Sequence, residues 1–151
     1  MENGVGFDLT GKVAVITGGN TGIGRAIALG LAQAGAAVAI MARNSERNTS
    51  TLRELQALGH PATALPVDVS RRETLKPALD EVEHRLGPVN ILVNNAAFAV
   101  LKGLLDHTED EWDSVLATDL TACFLLSRYA AQSMIRQGRG GKIINVASIA
   151  G

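Results

Sequence analysis

The stretch Lys12-Val13-Ala14-Val15-Ile16-Thr17-Gly18-Gly19-Asn20-Thr21-Gly22-Ile23-Gly24 carries a strand, a glycine-rich turn and the opening of a helix without a break. Residues 12–16 are few, apolar and rich in β-branched side chains, which predicts a strand buried on both faces. From Gly22 onward Ile23, Ile27 and Leu31 recur at every fourth position, so residues 22–34 read as a helix that Gly35 ends. Glycines between strand and helix allow a tight turn and let backbone N–H groups approach an anion with no Cβ in the way. The helix aims its positive dipole end at the same point. Glycines that merely punctuate a turn are the plain alternative. The strand, turn and helix context instead assigns Thr17, Gly18, Asn20, Thr21, Gly22, Ile23 and Gly24 to the diphosphate of a dinucleotide.

Outward from this turn, short apolar runs alternate with helical periodicities. Residues 37–42, 62–67, 90–94 and 142–147 read as four further strands. Helices are expected at 45–58, at 70–86 behind a Ser70/Glu73 capping box, and at 108–137 behind a Thr108/Glu111 capping box. Strands separated by helices imply right-handed crossovers and a parallel sheet covered on both faces. The fold class is therefore α/β, a doubly wound Rossmann-like sheet in the order 3-2-1-4-5, with a ligand crevice between strands one and four. With no linker or shift of composition, residues 1–151 read as one domain.

Composition narrows the function classes. The 151 residues carry 14 basic and 15 acidic side chains, so no cationic excess points to nucleic acid or an anionic membrane. The longest apolar run, residues 34–42, is about half the length of a bilayer span. Met1-Glu2-Asn3-Gly4 has the character of neither half of a secretory signal. Cys123 is the single cysteine, and no Cys/His cluster has metal-ligand spacing, so no metal is expected. A cytoplasmic protein is the expectation.

At this point the residues resemble the short-chain dehydrogenases/reductases, in the branch with single-domain subunits. Thr17-Gly18-x-x-x-Gly22-x-Gly24 is similar to that family's cofactor motif. Asp68-Val69 follows strand three, where the family's Asp meets adenine. Asn94-Asn95-Ala96-Ala97 resembles the family's Asn-Asn-Ala-Gly, and Trp112-Asp113-x-x-Val115 lies on the long helix at the usual place. Lys142-Ile143-Ile144-Asn145-Val146-Ala147-Ser148 resembles strand five with its serine. The resemblance implies hydride transfer between a nicotinamide cofactor and a carbonyl or secondary alcohol. It implies that Asp68, Val69, Asn95, Ala96 and Ala97 contact the cofactor and that Ser148 orients the substrate oxygen. It also implies homo-oligomerisation through residues 112–137, a helix that bears Trp112. The stretch Gln137-Gly138-x-Gly140-Gly141-Lys142-Ile143-Ile144-Asn145 is similar to sugar and sugar-acid dehydrogenases of the family.

Three departures stand out. Ala97 replaces the family's glycine. Asp119 occupies the place of its catalytic Asn, and an ionised carboxylate only accepts hydrogen bonds where an amide also donates. The family's Tyr-x-x-x-Lys pair does not occur within residues 1–151: Tyr129, the one tyrosine, is followed at the fourth position by Ser133. The chain thus reads as the N-terminal part of a longer enzyme, inactive by itself, with a bare apolar edge on strand five were it to end at Gly151. A non-catalytic nucleotide-binding or subunit-interaction module is the alternative. Cofactor choice follows from strand two, which ends Ile40-Met41-Ala42-Arg43-Asn44 with no acid to hold a ribose 2′-OH. Arg43 and Asn44 favour NADP(H) over NAD(H), because a guanidinium suits the 2′-phosphate.

Overall fold

The computed structural model describes residues 7–149, so the reading of Met1 to Gly4 and the end at Gly151 lie outside the described residues. Strands β1 (Val13–Thr17), β2 (Ala37–Ala42), β3 (Ala62–Pro66), β4 (Ile91–Asn94) and β5 (Lys142–Asn145) form one sheet. Its order is β3-β2-β1-β4-β5, with every pairing parallel, so the expected doubly wound fold is the one observed.

Helices α1 (Gly22–Gln33) and α2 (Ser45–Ala57) cover one face of the sheet. The opposite face carries α3 (Arg72–Leu86) and α5 (Ala122–Gln137), the latter preceded by α4 (Glu109–Leu116). The central strand shows why both faces are apolar. Val13 and Val15 pack with Leu75, Val82 and Leu126 on one side, while Ala14 and Ile16 pack with Ala28, Ala32 and Leu55 on the other. A side-chain period of two sends alternate residues into different cores, so a strand between two helical layers is apolar throughout.

The small residues of α1 have a packing purpose. Its buried face is Gly24, Ala28 and Ala32, whereas Ile23 is exposed and Ile27 and Leu31 flank the core. Without bulky side chains on the inner face, the helix axis approaches the sheet closely and its N-terminus is held near the strand ends.

Two local expectations are corrected. Ser70 does not cap α3; Arg71 is the N-cap, and the Ser70 hydroxyl and N–H both donate to Asp68 Oδ1, at 2.7 and 3.0 Å. The Asp68 carboxylate, two residues upstream, competes successfully for that hydroxyl. The long helix is not continuous either. The Thr108/Glu111 capping box opens α4 as expected, but Ala117–Thr121 form a π turn before α5 begins. That turn inserts one extra residue per hydrogen-bonded ring and carries Asp119. Strand β5 is shorter than read: beyond Asn145 a single bond, Val146 N–H to Asn94 C=O at 2.9 Å, extends the ladder.

Candidate functional site

A cleft of about 410 Å³ opens over the carboxyl ends of the strands, around the point where β1 lies between β2 and β4. Brought together in its wall are Gly18, Asn20, Thr21, Ile23, Gly24, Arg43, Asn44, Asp68, Val69, Asn95, Ala96 and Ala97, from four separate loops. Crossovers that leave on opposite sides of a parallel sheet create such a crevice between them.

Thr17 is not part of the wall. It is 3% exposed and stands behind it as a clasp. Its hydroxyl accepts the N–H groups of Asn95 (2.9 Å) and Ala96 (3.0 Å) and donates to Val93 C=O (3.4 Å). Asn95 answers by donating its side-chain amide to Thr17 C=O at 2.9 Å. The turn after β1 and the loop after β4 are therefore fastened to each other by side chains. Gly22 is also absent from the wall; it opens α1 with φ at 53°, a conformation that disfavours side chains.

Gly18 and Gly24 are where the absence of a side chain matters most. A Cβ on Gly24 would collide with the Gly18 carbonyl oxygen and Asn95 Nδ2, and one on Gly18 would sit 3.1 Å from Ala96 Cα. The turn is thus closed tightly enough for backbone alone. Behind it, Asn20 Nδ2 donates to Asn48 Oδ1 at 2.8 Å, Asn48 Nδ2 donates to Ala42 C=O at 2.8 Å, and the Thr51 hydroxyl donates to Asn20 C=O at 3.2 Å. This buried chain locks the glycine turn to the β2–α2 loop.

Charge is distributed unevenly. α1 has no side-chain cap and no acidic residue in its first turn, so its orphan N–H groups and dipole end face the cleft uncompensated by a carboxylate. Arg43 and Arg47 both line the cleft; Arg47 sits in the first turn of α2, whose cap is Asn44 Oδ1 accepting from Arg47 N–H at 2.8 Å. Beyond β4, Asp119 Oδ1 accepts from Phe98 N–H at 2.8 Å, tying the π turn to the cleft wall. Burial and then the charge of Asp119 push the Cys123 thiol up, away from the reactive thiolate. Ser148 is exposed just past β5 and outside the cleft wall. Among the described residues no cluster of three His, Cys, Asp or Glu side chains could hold a metal ion, and no helix is long and apolar enough to cross a membrane.

Sequence reasoning missed Met41, Ala42, Arg47, Val67, Phe98 and Thr118 as wall residues. Arg47 had a usable signal, since a second basic residue four positions after Arg43 lies one helical turn away on the cleft side. The clasp makes its own prediction. Thr17→Val leaves two inward N–H groups without their acceptor and is expected to cost about 2 kcal/mol, read as a lower urea midpoint. An unchanged midpoint would refute the clasp.

The family model of the short chain dehydrogenases matches residues 12–151. The chain is 41% identical over 143 residues to the 2-dehydro-3-deoxy-D-gluconate 5-dehydrogenase of Escherichia coli (strain K12), covering 95% of this chain and 56% of that protein. Among solved structures it is similar to the L-sorbose reductase from Gluconobacter frateurii complexed with NADPH and L-sorbose (TM-score 0.91, 34% identity, 96% of this chain and 55% of that one). It is likewise similar to an NAD⁺-bound xylitol dehydrogenase (TM-score 0.89, 31% identity, 95% and 55%). The chain spans about half the length of the curated relatives it matches. With strand order, glycine turn and Asn-Asn-Ala wall in agreement with that match, the chain belongs to the short-chain dehydrogenase family.

Proposed function

We propose that the cleft binds NADP(H) and that the chain forms the cofactor-holding part of an oxidoreductase acting on a carbonyl or secondary alcohol. The observation that carries this reading is the pairing of Arg43 with Arg47 beside an uncapped, glycine-lined helix start. Laid along the carboxyl edge of the sheet, a dinucleotide meets Asp68 and Val69 beyond β3 with its adenine. Arg43, Asn44 and Arg47 beyond β2 take the 2′-phosphate, and the Gly18 to Gly24 turn beyond β1 takes the diphosphate. Asn95, Ala96 and Ala97 then flank the nicotinamide half. When bound, the nicotinamide supplies or accepts the hydride.

The chain's own residues bind, orient and shield. Guanidinium groups and backbone N–H groups neutralise the phosphates, and Thr17 and Asn95 hold two walls at a fixed separation. Ser148, at the end of β5, orients the substrate oxygen by hydrogen bonding. The acid–base Tyr/Lys pair of the family is not among residues 1–151, so proton transfer to that oxygen needs residues outside this stretch. The name of the Escherichia coli relative and the 137–145 stretch support a sugar or sugar-acid substrate. A second reading, a nucleotide-binding module without chemistry, is favoured by Asp119 and by that missing pair.

A second copy of the chain is proposed as the cover for Trp112, Leu120 and Phe124, each more than 60% exposed along the α4–α5 segment.

Three measurements test these statements. Arg43→Ala is expected to weaken NADPH about tenfold and Arg47→Ala about threefold, with NADH affinity unchanged in both; equal losses for NADPH and NADH would overturn the 2′-phosphate assignment. Purified residues 1–151 should bind cofactor yet show no substrate-dependent change in NADPH absorbance, and steady turnover would overturn the role assigned to outside residues. Trp112→Glu should lower the sedimentation coefficient toward that of a monomer, whereas an unaltered species would remove the α4–α5 face as the interface.

A further inference from the structure

We propose that Asp119 biases the cleft toward the oxidised form of its nicotinamide cofactor, an inference that rests on the dinucleotide reading above. Along the carboxyl edge of the sheet the order is Asp68 beyond β3, Arg43 beyond β2, Gly18 beyond β1 and Asn95 beyond β4. Neighbouring strands lie about 4.8 Å apart, so the arginines and the β4 loop are separated by roughly 10 Å of cleft. A dinucleotide whose 2′-phosphate sits on Arg43 and Arg47 and whose diphosphate sits on the α1 turn therefore brings its nicotinamide over β4.

Asp119 is fastened to the wall at that end. Its Oδ1 accepts the Phe98 N–H at 2.8 Å, and Phe98 and its own neighbour Thr118 line the cleft. Lys102, the cation on the loop beyond β4, is already held by Glu111, and among the described residues Asp119 takes part in no ion pair. The cleft is thus polarised, with cations over β2 and an anion over β4. This pattern matches a molecule with phosphates at one end and a positive ring at the other. The oxidised nicotinamide carries that positive charge and the reduced ring carries none. An uncompensated carboxylate beside the ring attracts one form and is indifferent to the other. Across a few ångströms of solvent-exposed cleft, such an attraction is worth about threefold in affinity.

The substitution Asp119→Asn separates charge from scaffold, because the amide oxygen still accepts from Phe98 N–H. Calorimetry on the purified chain at low ionic strength is expected to show NADP⁺ bound about threefold more weakly by Asp119→Asn than by the parent, with NADPH unchanged. Arg43→Ala serves as the control and weakens both forms alike, since both carry the 2′-phosphate. Salt provides a route that needs no variant: in the parent chain, raising salt should shrink the ratio of NADPH to NADP⁺ dissociation constants. A ratio unmoved by both Asp119→Asn and salt, with both forms still binding, overturns this inference alone. Failure of the parent to bind either form overturns the dinucleotide reading together with it.

Discussion

One hydroxyl holds the two halves of the cleft together. Thr17 Oγ1 receives the N–H groups of Asn95 and Ala96 while donating to Val93, so the end of β1 and the loop beyond β4 move as a unit. In a parallel sheet the backbone ladder stops where the strands stop, and loops beyond it separate unless side chains bind them. Here the separation of those loops sets the width of the cleft. The Asn20–Asn48–Ala42 chain performs the same task on the other side, joining the glycine turn to the β2–α2 loop. With both flanks fixed, Gly18 and Gly24 can approach each other to a distance that excludes any side chain between them.

This rigidity has a chemical consequence. An anion placed at the turn meets preset donors and a helix dipole, and little ordering remains to be done on binding. Arg43 and Arg47 are exposed and add charge at one end, whereas Asp119 adds the opposite charge at the other. The π turn bearing Asp119 is what aims its carboxylate at Phe98 N–H. A regular helix through residues 117–121 would rotate that side chain by a good part of a turn.

Much of the candidate site was legible along the chain because it is local. The glycine turn, Asp68-Val69 and Asn95-Ala96-Ala97 each follow a strand, and strands are recognisable from five or six apolar residues. What escaped reading depends on competition or on distance. Ser70 looked like a cap, but Asp68 had prior claim to its hydroxyl. Asn48 and Thr51 looked like solvated helix residues, yet they are buried partners of Asn20, about thirty positions away. The apparent stripe of Ile23, Ile27 and Leu31 suggested the inner face of α1, whereas the inner face is the small-residue row Gly24, Ala28 and Ala32.

By itself the amino-acid order determined the alternation of strands and helices, the parallel sheet and the anion-ready turn, because periodicity and glycine placement act within a few residues. Only the tertiary structure decided that Thr17 is a clasp and not a wall residue, that Arg47 joins Arg43, and that Asp119 braces Phe98 from a π turn. Those outcomes depend on which distant donors and acceptors are brought within about 3 Å of each other. That is a property of packing across strands, and no local pattern of residues encodes it.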